Sequence, residues 1–219
     1  MDHESIGLAA FRETHQGMAI VPSPGDDLIL RGEFSFHAQA NNGPALADSY
    51  RIEIRIPKRF PATTPLVFEL DGKVPRDGQF HVNPDKSLCL GSPLRLKLLL
   101  SQSSTLLGFA ERCIVPFLYA VSWKQQKTRT DFFMGELDHG ASGVATDYAS
   151  LFGLNQSQAI KALSLLGLRK RAANKRPCPC ECGLRLGRCK KRFTLNRFRT
   201  LASRSWFRAH AKNPGSALS

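Results

Sequence analysis

The residues of this chain best able to do chemistry are its six cysteines, and spacing divides them into two kinds. Cys178, Cys180, Cys182 and Cys189 are crowded into twelve positions, whereas Cys89 and Cys113 stand alone. Four thiolates are the number that closes a tetrahedral metal site, and in a reducing compartment such crowding signals ligation of zinc before disulfides. A redox dithiol or another soft metal is the other reading of the same four residues. Cys89 lies in Ser87-Leu88-Cys89-Leu90, inside a stretch from Pro75 to Pro93 too rich in Pro, Gly and Asp for regular structure. A loop thiol with Lys86 close in sequence suits a nucleophile. A cysteine between two leucines is equally what a small buried hydrophobe looks like.

The elements that must hold these residues are legible in the apolar pattern. Residues 3–15, with Ile6, Leu8, Ala9, Ala10 and Phe11 among polar neighbours, predict a short amphipathic helix. Short extended runs follow at Met18 to Val21, Asp27 to Leu30, Phe34 to Ala38, Tyr50 to Ile56 and Leu66 to Leu70. Ile52, Ile54 and Ile56 oppose Arg51, Glu53 and Arg55, which predicts an antiparallel meander with one wet face. Ser103 or Ser104 is placed to cap a long buried helix running through Trp123, bent at Pro116 and carrying Cys113 as a core residue. Tyr148 to Gly153 and Asn155 to Leu168 predict further helices, with Asn155 as a cap. Arg169 to Pro177 is a basic linker, so the expected domains are 1–168 and 169–219.

Charge reinforces that division. The chain of 219 residues has 31 Lys and Arg against 18 Asp and Glu, a formal charge of +13. Fifteen of those cations lie in residues 169–212, with Glu181 the single acid there, so the body is near neutral and the basicity belongs to the C-terminal part. With 42% hydrophobic residues the chain can bury a core, which excludes collagen-like, disordered and knottin-like classes. The best apolar run, Cys113 to Val121, is nine residues and contains Pro116, short of the ~18 that span a bilayer. Met-Asp-His-Glu lacks a signal peptide's basic start, and the expected location is the cytoplasm without membrane attachment.

Taken in order, a helix, an antiparallel meander, an irregular loop with a cysteine and then helices resemble the ubiquitin-conjugating enzymes, over roughly residues 1–125. Three local matches carry the resemblance. Tyr50-Arg-Ile-Glu-Ile-Arg-Ile-Pro57-Lys-Arg-Phe60-Pro61-Ala-Thr-Thr-Pro65-Leu-Val-Phe68 is similar to the family's strand, proline-rich turn and next strand. His81-Val82-Asn83-Pro84 is similar to its His-Pro-Asn, with Val82 in place of the proline, and Ser87-Leu88-Cys89-Leu90 to its catalytic Ile-Cys-Leu. The rest of the chain looks like bacterial relatives whose genes accompany a ubiquitin-like protein and an activating enzyme in antiphage defence operons. The resemblance implies an α+β ubiquitin-conjugating-like domain of four antiparallel strands, in which Cys89 accepts a ubiquitin-like protein as a thioester from the activating enzyme and passes it to an amine on a target protein. It implies Asn83 as the oxyanion-side donor, His81 as a residue organising the loop, and Asp138 and His139 as the gate for the attacking amine. Asn83-Pro84-Asp85 also reads as a turn alone, and Asp138 and His139 as a solvated loop.

Cys178-Pro-Cys180-Glu-Cys182 and Cys189 resemble the short metal-binding module of the Cys-Pro-Cys-Gly-Ser-Gly type, with Cys182 in place of the serine and Lys190 where a further ligand sits. The expected cofactor is a structural zinc ion, its fourth ligand either Cys182 or His210. Leu195, Phe198, Leu201, Ala202 and Trp206 predict one amphipathic helix whose Arg197, Arg199, Arg204 and Arg208 contact nucleic acid or an acidic surface, or are simply solvated. Three functions follow: a cysteine thioester carrier, a catalytically silent adaptor for the ubiquitin-like protein, and a nucleic-acid-binding zinc protein.

Overall fold

The computed structural model describes residues 4–40, 43–76, 80–126 and 140–214. The chain forms two compact units, one made of Met1–Gly91 with Leu99–Glu136 and the other of Ser92–Leu98 with Leu137–Ser219. The class is α+β.

In the first unit, helix α1 (Leu8–Thr14) precedes a sheet of β1 (Met18–Val21), β2 (Leu28–Gln39), β3 (Ala45–Ile56) and β4 (Leu66–Glu69), antiparallel in the order β1-β2-β3-β4. The expected runs at Asp27 and at Phe34 are one strand, because Arg31, Gly32 and Glu33 stay paired with Glu53, Ile52 and Arg51. Continuous pairing with neighbours on both sides overrides the glycine's weak strand preference. Phe34, Tyr50, Ile52, Ile54, Ile56 and Val67 are buried in the core.

The opposite face is not uniformly wet. Glu53 is only 2% exposed, although it alternates with exposed Arg51 and Arg55. Its cross-strand partner Arg31 and its neighbour Arg55 both donate to its carboxylate, and Arg55 also lies over the Phe68 ring, 4.3 Å from the centroid. The two long side chains cover the acid they neutralise.

Helix α2 (Pro93–Gln102), absent from the sequence expectations, begins where Ser92 Oγ accepts the Arg95 N–H and Pro93 stands at the first helical position. Then α3 (Leu106–Phe109), a π turn (Ala110–Ile114) and α4 (Val115–Gln125) run on as one helix, capped by Thr105 and not by either serine. Pro116 has no N–H and would collide with the carbonyl four residues back. The π turn, closed by the Val115 N–H on the Ala110 carbonyl, inserts an extra residue there and lets the helix continue. By length and composition Leu106–Gln125 could cross a membrane, contrary to the sequence expectation, but 72% of its apolar window is buried inside the protein, as in a core helix.

The second unit contains α5 (Gly140–Phe152), α6 (Gln156–Leu166), α7 (Lys170–Asn174), a 3-10 turn (Leu186–Arg188), α8 (Lys191–Phe198) and α9 (Arg204–Lys212). Asn155 caps α6 as expected, in a reciprocal capping box with Gln158. The compact units do not divide at residue 168. Tyr148, Phe152, Leu163 and Leu166 share one core with Cys178, Leu186, Leu195 and Phe207, so the cysteine segment buries its apolar side against α5 and α6. The basic linker holds α7, and the single helix expected over 195–208 is two, because Ser203 accepts the Trp206 N–H at 3.1 Å and starts α9.

Glu53 makes a pH-dependent contribution to stability. Burial alone would raise its carboxyl, but the hydrogen bonds and charges of Arg31 and Arg55 outweigh that and hold it below its ordinary 4.5. The unfolded chain therefore takes up the proton first. The stabilisation is complete above the unfolded pKa and is lost as pH falls through the folded one. In urea unfolding at neutral pH, E53Q is expected to be less stable than the parent by about 1–3 kcal/mol, with the gap closing below pH ~4. A gap unchanged down to pH 3 would contradict this account.

Candidate functional site

Residues 81–89 form a small hairpin, more ordered than their composition suggests. Val82 bridges Leu88, the Cys89 N–H donates to the His81 carbonyl at 2.8 Å, and the Asn83 N–H donates to the Ser87 carbonyl at 2.8 Å. Pro84 supplies the fixed φ that the second turn position favours, the Lys86 N–H closes on the Asn83 carbonyl at 2.8 Å, and Lys86 takes the left-handed conformation (φ 71°). The hairpin is tied to β4 by the Leu88 N–H on the Val67 carbonyl at 2.7 Å and by the bridge between Phe68 and Ser87. Val67 and Phe68 thereby set where Cys89 stands.

His81, Asn83 and Cys89 are brought together on this hairpin. The Asn83 amide donates to Ser87 Oγ at 3.0 Å, and Ser87 Oγ donates to Asp85 Oδ1 at 2.6 Å, which also accepts the Ser87 N–H at 3.0 Å. The turn reading of Asn83-Pro84-Asp85 is met, but the part of Ser87 in it was missed from sequence, although Asn-Pro-Asp-x-Ser is a legible Asx-turn pattern. His81 holds a left-handed backbone (φ 52°) at the hairpin's start. Cys89 is half-buried, and burial pushes its thiol up, opposed by a backbone hydrogen bond from Gly91. The low thiol expected from a nearby lysine is therefore corrected: burial sets the direction, and Lys86 is exposed at the turn. Cys113 is buried in the core helix, and that burial raises its thiol to about 12. Asp138 and His139 lie outside the described residues.

In the second unit all four tail cysteines converge. Their sulfurs lie within 4.8 Å of one another, with Cys178 to Cys180 at 3.2 Å and Cys180 to Cys189 at 3.6 Å. Zinc bound at ~2.3 Å to four sulfurs sets tetrahedral edges of about 3.8 Å, so the set closes on an ion with small adjustments. A second hairpin presents them: the Cys178 N–H donates to the Leu184 carbonyl, the Leu186 N–H to the Arg176 carbonyl, and Pro177 bridges Arg185. Glu181 (φ 60°) and Gly183 (φ 77°) take left-handed conformations on either side of exposed Cys182. The Cys180 thiol is pulled down to about 7, first by its hydrogen bond with Cys178, which favours the ligating thiolate. The Lys191 N–H donates to Cys189 Sγ at 3.5 Å, an outer contact of the kind that orients a ligand.

His210 does not complete the centre. It is fully buried, stacked on Trp206 with centroids 3.6 Å apart, and its Nδ1 donates to the Trp206 carbonyl at 3.3 Å. Cys182 is the fourth candidate ligand. Two arginines expected at the surface are structural as well. Arg199 donates to the Leu165, Leu166 and Leu168 carbonyls and Arg208 to Gly167, together satisfying the C-terminal end of α6.

Metal analysis of the purified protein is expected to find one divalent ion per chain, lost in Cys180→Ser and Cys182→Ser and retained in Cys89→Ala and His210→Phe. Retention in Cys182→Ser together with loss in His210→Phe would return the fourth position to the histidine.

Compared with protein-family models, curated proteins and solved structures, this chain matches none.

Proposed function

We propose that this protein is a cysteine-dependent carrier of a ubiquitin-like protein. The observation that carries the reading is the place of Cys89: half-buried at the end of a hairpin docked on the last strand of a four-stranded antiparallel meander, paired with His81 and on the same hairpin as Asn83. The resemblance to ubiquitin-conjugating enzymes implies a cysteine loop after such a meander, and that resemblance supports the reading. The setting in bacterial antiphage defence is supported by that resemblance alone.

In the proposed reaction, Cys89 Sγ attacks the acyl carbonyl of a thioester on the activating enzyme. A new carbon–sulfur bond forms, the old one breaks, and the proton given up by Cys89 is balanced by the one taken by the departing thiol. A target amine then attacks the acyl-Cys89 thioester, forming a carbon–nitrogen bond and releasing the Cys89 thiol, while the amine's surplus proton passes to a base. Asn83 acts on the oxygen of the tetrahedral intermediate. Its amide nitrogen carries two hydrogens, and the one given to Ser87 Oγ orients the other. His81 positions the loop through its carbonyl on the Cys89 N–H. Asp138 and His139 are proposed to receive the amine's proton.

The four cysteines are proposed to bind zinc. With four protein ligands the centre has no open position, so zinc supplies folding free energy to the second unit and takes part in no chemical step.

A second reading, a binding adaptor with an unused thiol, is favoured by the half-burial of Cys89, which pushes its thiol up. A non-reducing gel with the activating enzyme, ATP and the ubiquitin-like protein separates the two. The carrier gives a thiol-sensitive adduct absent in Cys89→Ala, and its rate rises between pH 7 and 9, because a raised thiol is mostly protonated at neutrality and gains thiolate as pH increases. No adduct from a charged activating enzyme would leave the adaptor. In transfer to an amine, Asn83→Ala is expected to slow release by about 10²–10³-fold, and Ser87→Ala much less. Equal losses would reassign Asn83 to holding the hairpin.

A further inference from the structure

The second unit contains eighteen of the chain's 31 Lys and Arg. Among its described residues the acids are Asp147 and Glu181, and both are engaged. Asp147 is buried and held by Arg95 and Ser92, and Glu181 pairs with Lys161 at 2.6 Å. Arg199, Arg208 and Lys191 are committed to backbone carbonyls at helix ends. Several of the remaining cations stay exposed with no acid opposite them among the described residues, which is more positive charge than folding this unit uses.

One exposed aromatic ring stands among them. Phe193 on α8 is 61% exposed, the most exposed large hydrophobic side chain among the described residues. Helical spacing sets exposed Lys190 and Arg197 one turn to either side on the same face. The Arg192 guanidinium lies 4.6 Å from the ring centroid while donating to the Gly187 carbonyl, so the ring is braced on one face. A cleft of about 320 Å³ in the same unit is lined by Leu166, Leu168, Arg169, Lys170, Arg199 and Arg204. Its lining has no acid, and three of its four cations, Arg169, Lys170 and Arg204, are exposed.

We propose that the α8 face of Lys190, Phe193 and Arg197 binds single-stranded nucleic acid, with a base stacked on the free face of Phe193 and phosphates on the flanking cations. The charge calls for a polyanion, and the exposed ring selects among polyanions. A base offers a π-face of matching size, as an acidic peptide does not, and in duplex DNA the base faces are already stacked on one another. The same unit's cationic cleft offers further phosphate contacts. This activity is independent of Cys89.

The test is fluorescence anisotropy of the full-length protein with a labelled oligothymidylate over a salt series, beside a duplex of equal length and a polyglutamate competitor. The expected result is single-strand binding that weakens with salt, with the slope reduced by about 0.7 in each of Lys190→Ala and Arg197→Ala. Phe193→Ala should weaken binding by roughly 5- to 100-fold, whereas Phe193→Trp and Cys89→Ala bind as the parent does. Circular dichroism shows whether each variant is folded, and at so exposed a position Phe193→Ala should be. Unchanged binding in folded Phe193→Ala, duplex bound as tightly as single strand, or displacement by polyglutamate as effective as by unlabelled oligonucleotide would each overturn the proposal.

Discussion

The register of β3 between β2 and β4 is the constraint on which the first unit depends. A slip of one residue would turn Tyr50, Ile52, Ile54 and Ile56 out to solvent and drive Arg51 and Arg55 into the core. The buried Glu53 adds a second lock, because only this register sets it opposite Arg31 with Arg55 beside it. At the core-helix end, Tyr50 OH meets Ser122 Oγ at 2.7 Å, and Ser122 donates to Asp48 at 2.8 Å, which ties the strand to α4. With β4 placed by the same register, Val67 and Phe68 are positioned to receive the hairpin that carries Cys89. The position of one thiol thus follows from strand pairing some thirty residues upstream.

The second unit solves a different problem. Its helices are short, and its cysteine segment is too small to bury an apolar core alone, so helix ends are satisfied by side chains from distant segments. Lys191 serves the end of α5, while Arg199 and Arg208 serve that of α6. Each supplies a cation where the helix dipole is negative and where backbone carbonyls lack intrahelical donors. Part of the basicity that a charge count would assign to a ligand is therefore internal structure, and the remainder is what a ligand could meet.

At Cys89 two opposing influences set the thiol's character. Half-burial disfavours the thiolate, and the Gly91 hydrogen bond partly restores it. In the proposed carrier reaction, an activated acyl group would have to be held at close range, where orientation compensates for a small thiolate fraction. The turn of Asn83, Asp85 and Ser87 holds this geometry with both side-chain and backbone hydrogen bonds.

Much of this was legible in the sequence because local chemistry dictated it. Alternation of Ile52, Ile54 and Ile56 marked a strand, Asn155 with Gln158 marked a helix start, and four cysteines within twelve positions marked a ligand set, each a short-range pattern with a short-range cause. What the sequence left open turned on contacts between distant residues. Whether Cys182 or His210 stood with the other three cysteines depended on where the histidine packed, and it is stacked on Trp206. Whether Glu53 was wet depended on Arg31, twenty-two residues away in the chain. The division near residue 137, and not at 168, was decided by a core that α5 and α6 share with the cysteine segment. Burial and cross-chain pairing are properties of the folded molecule, because the free energy of a side chain is set by neighbours that only the tertiary structure brings to it.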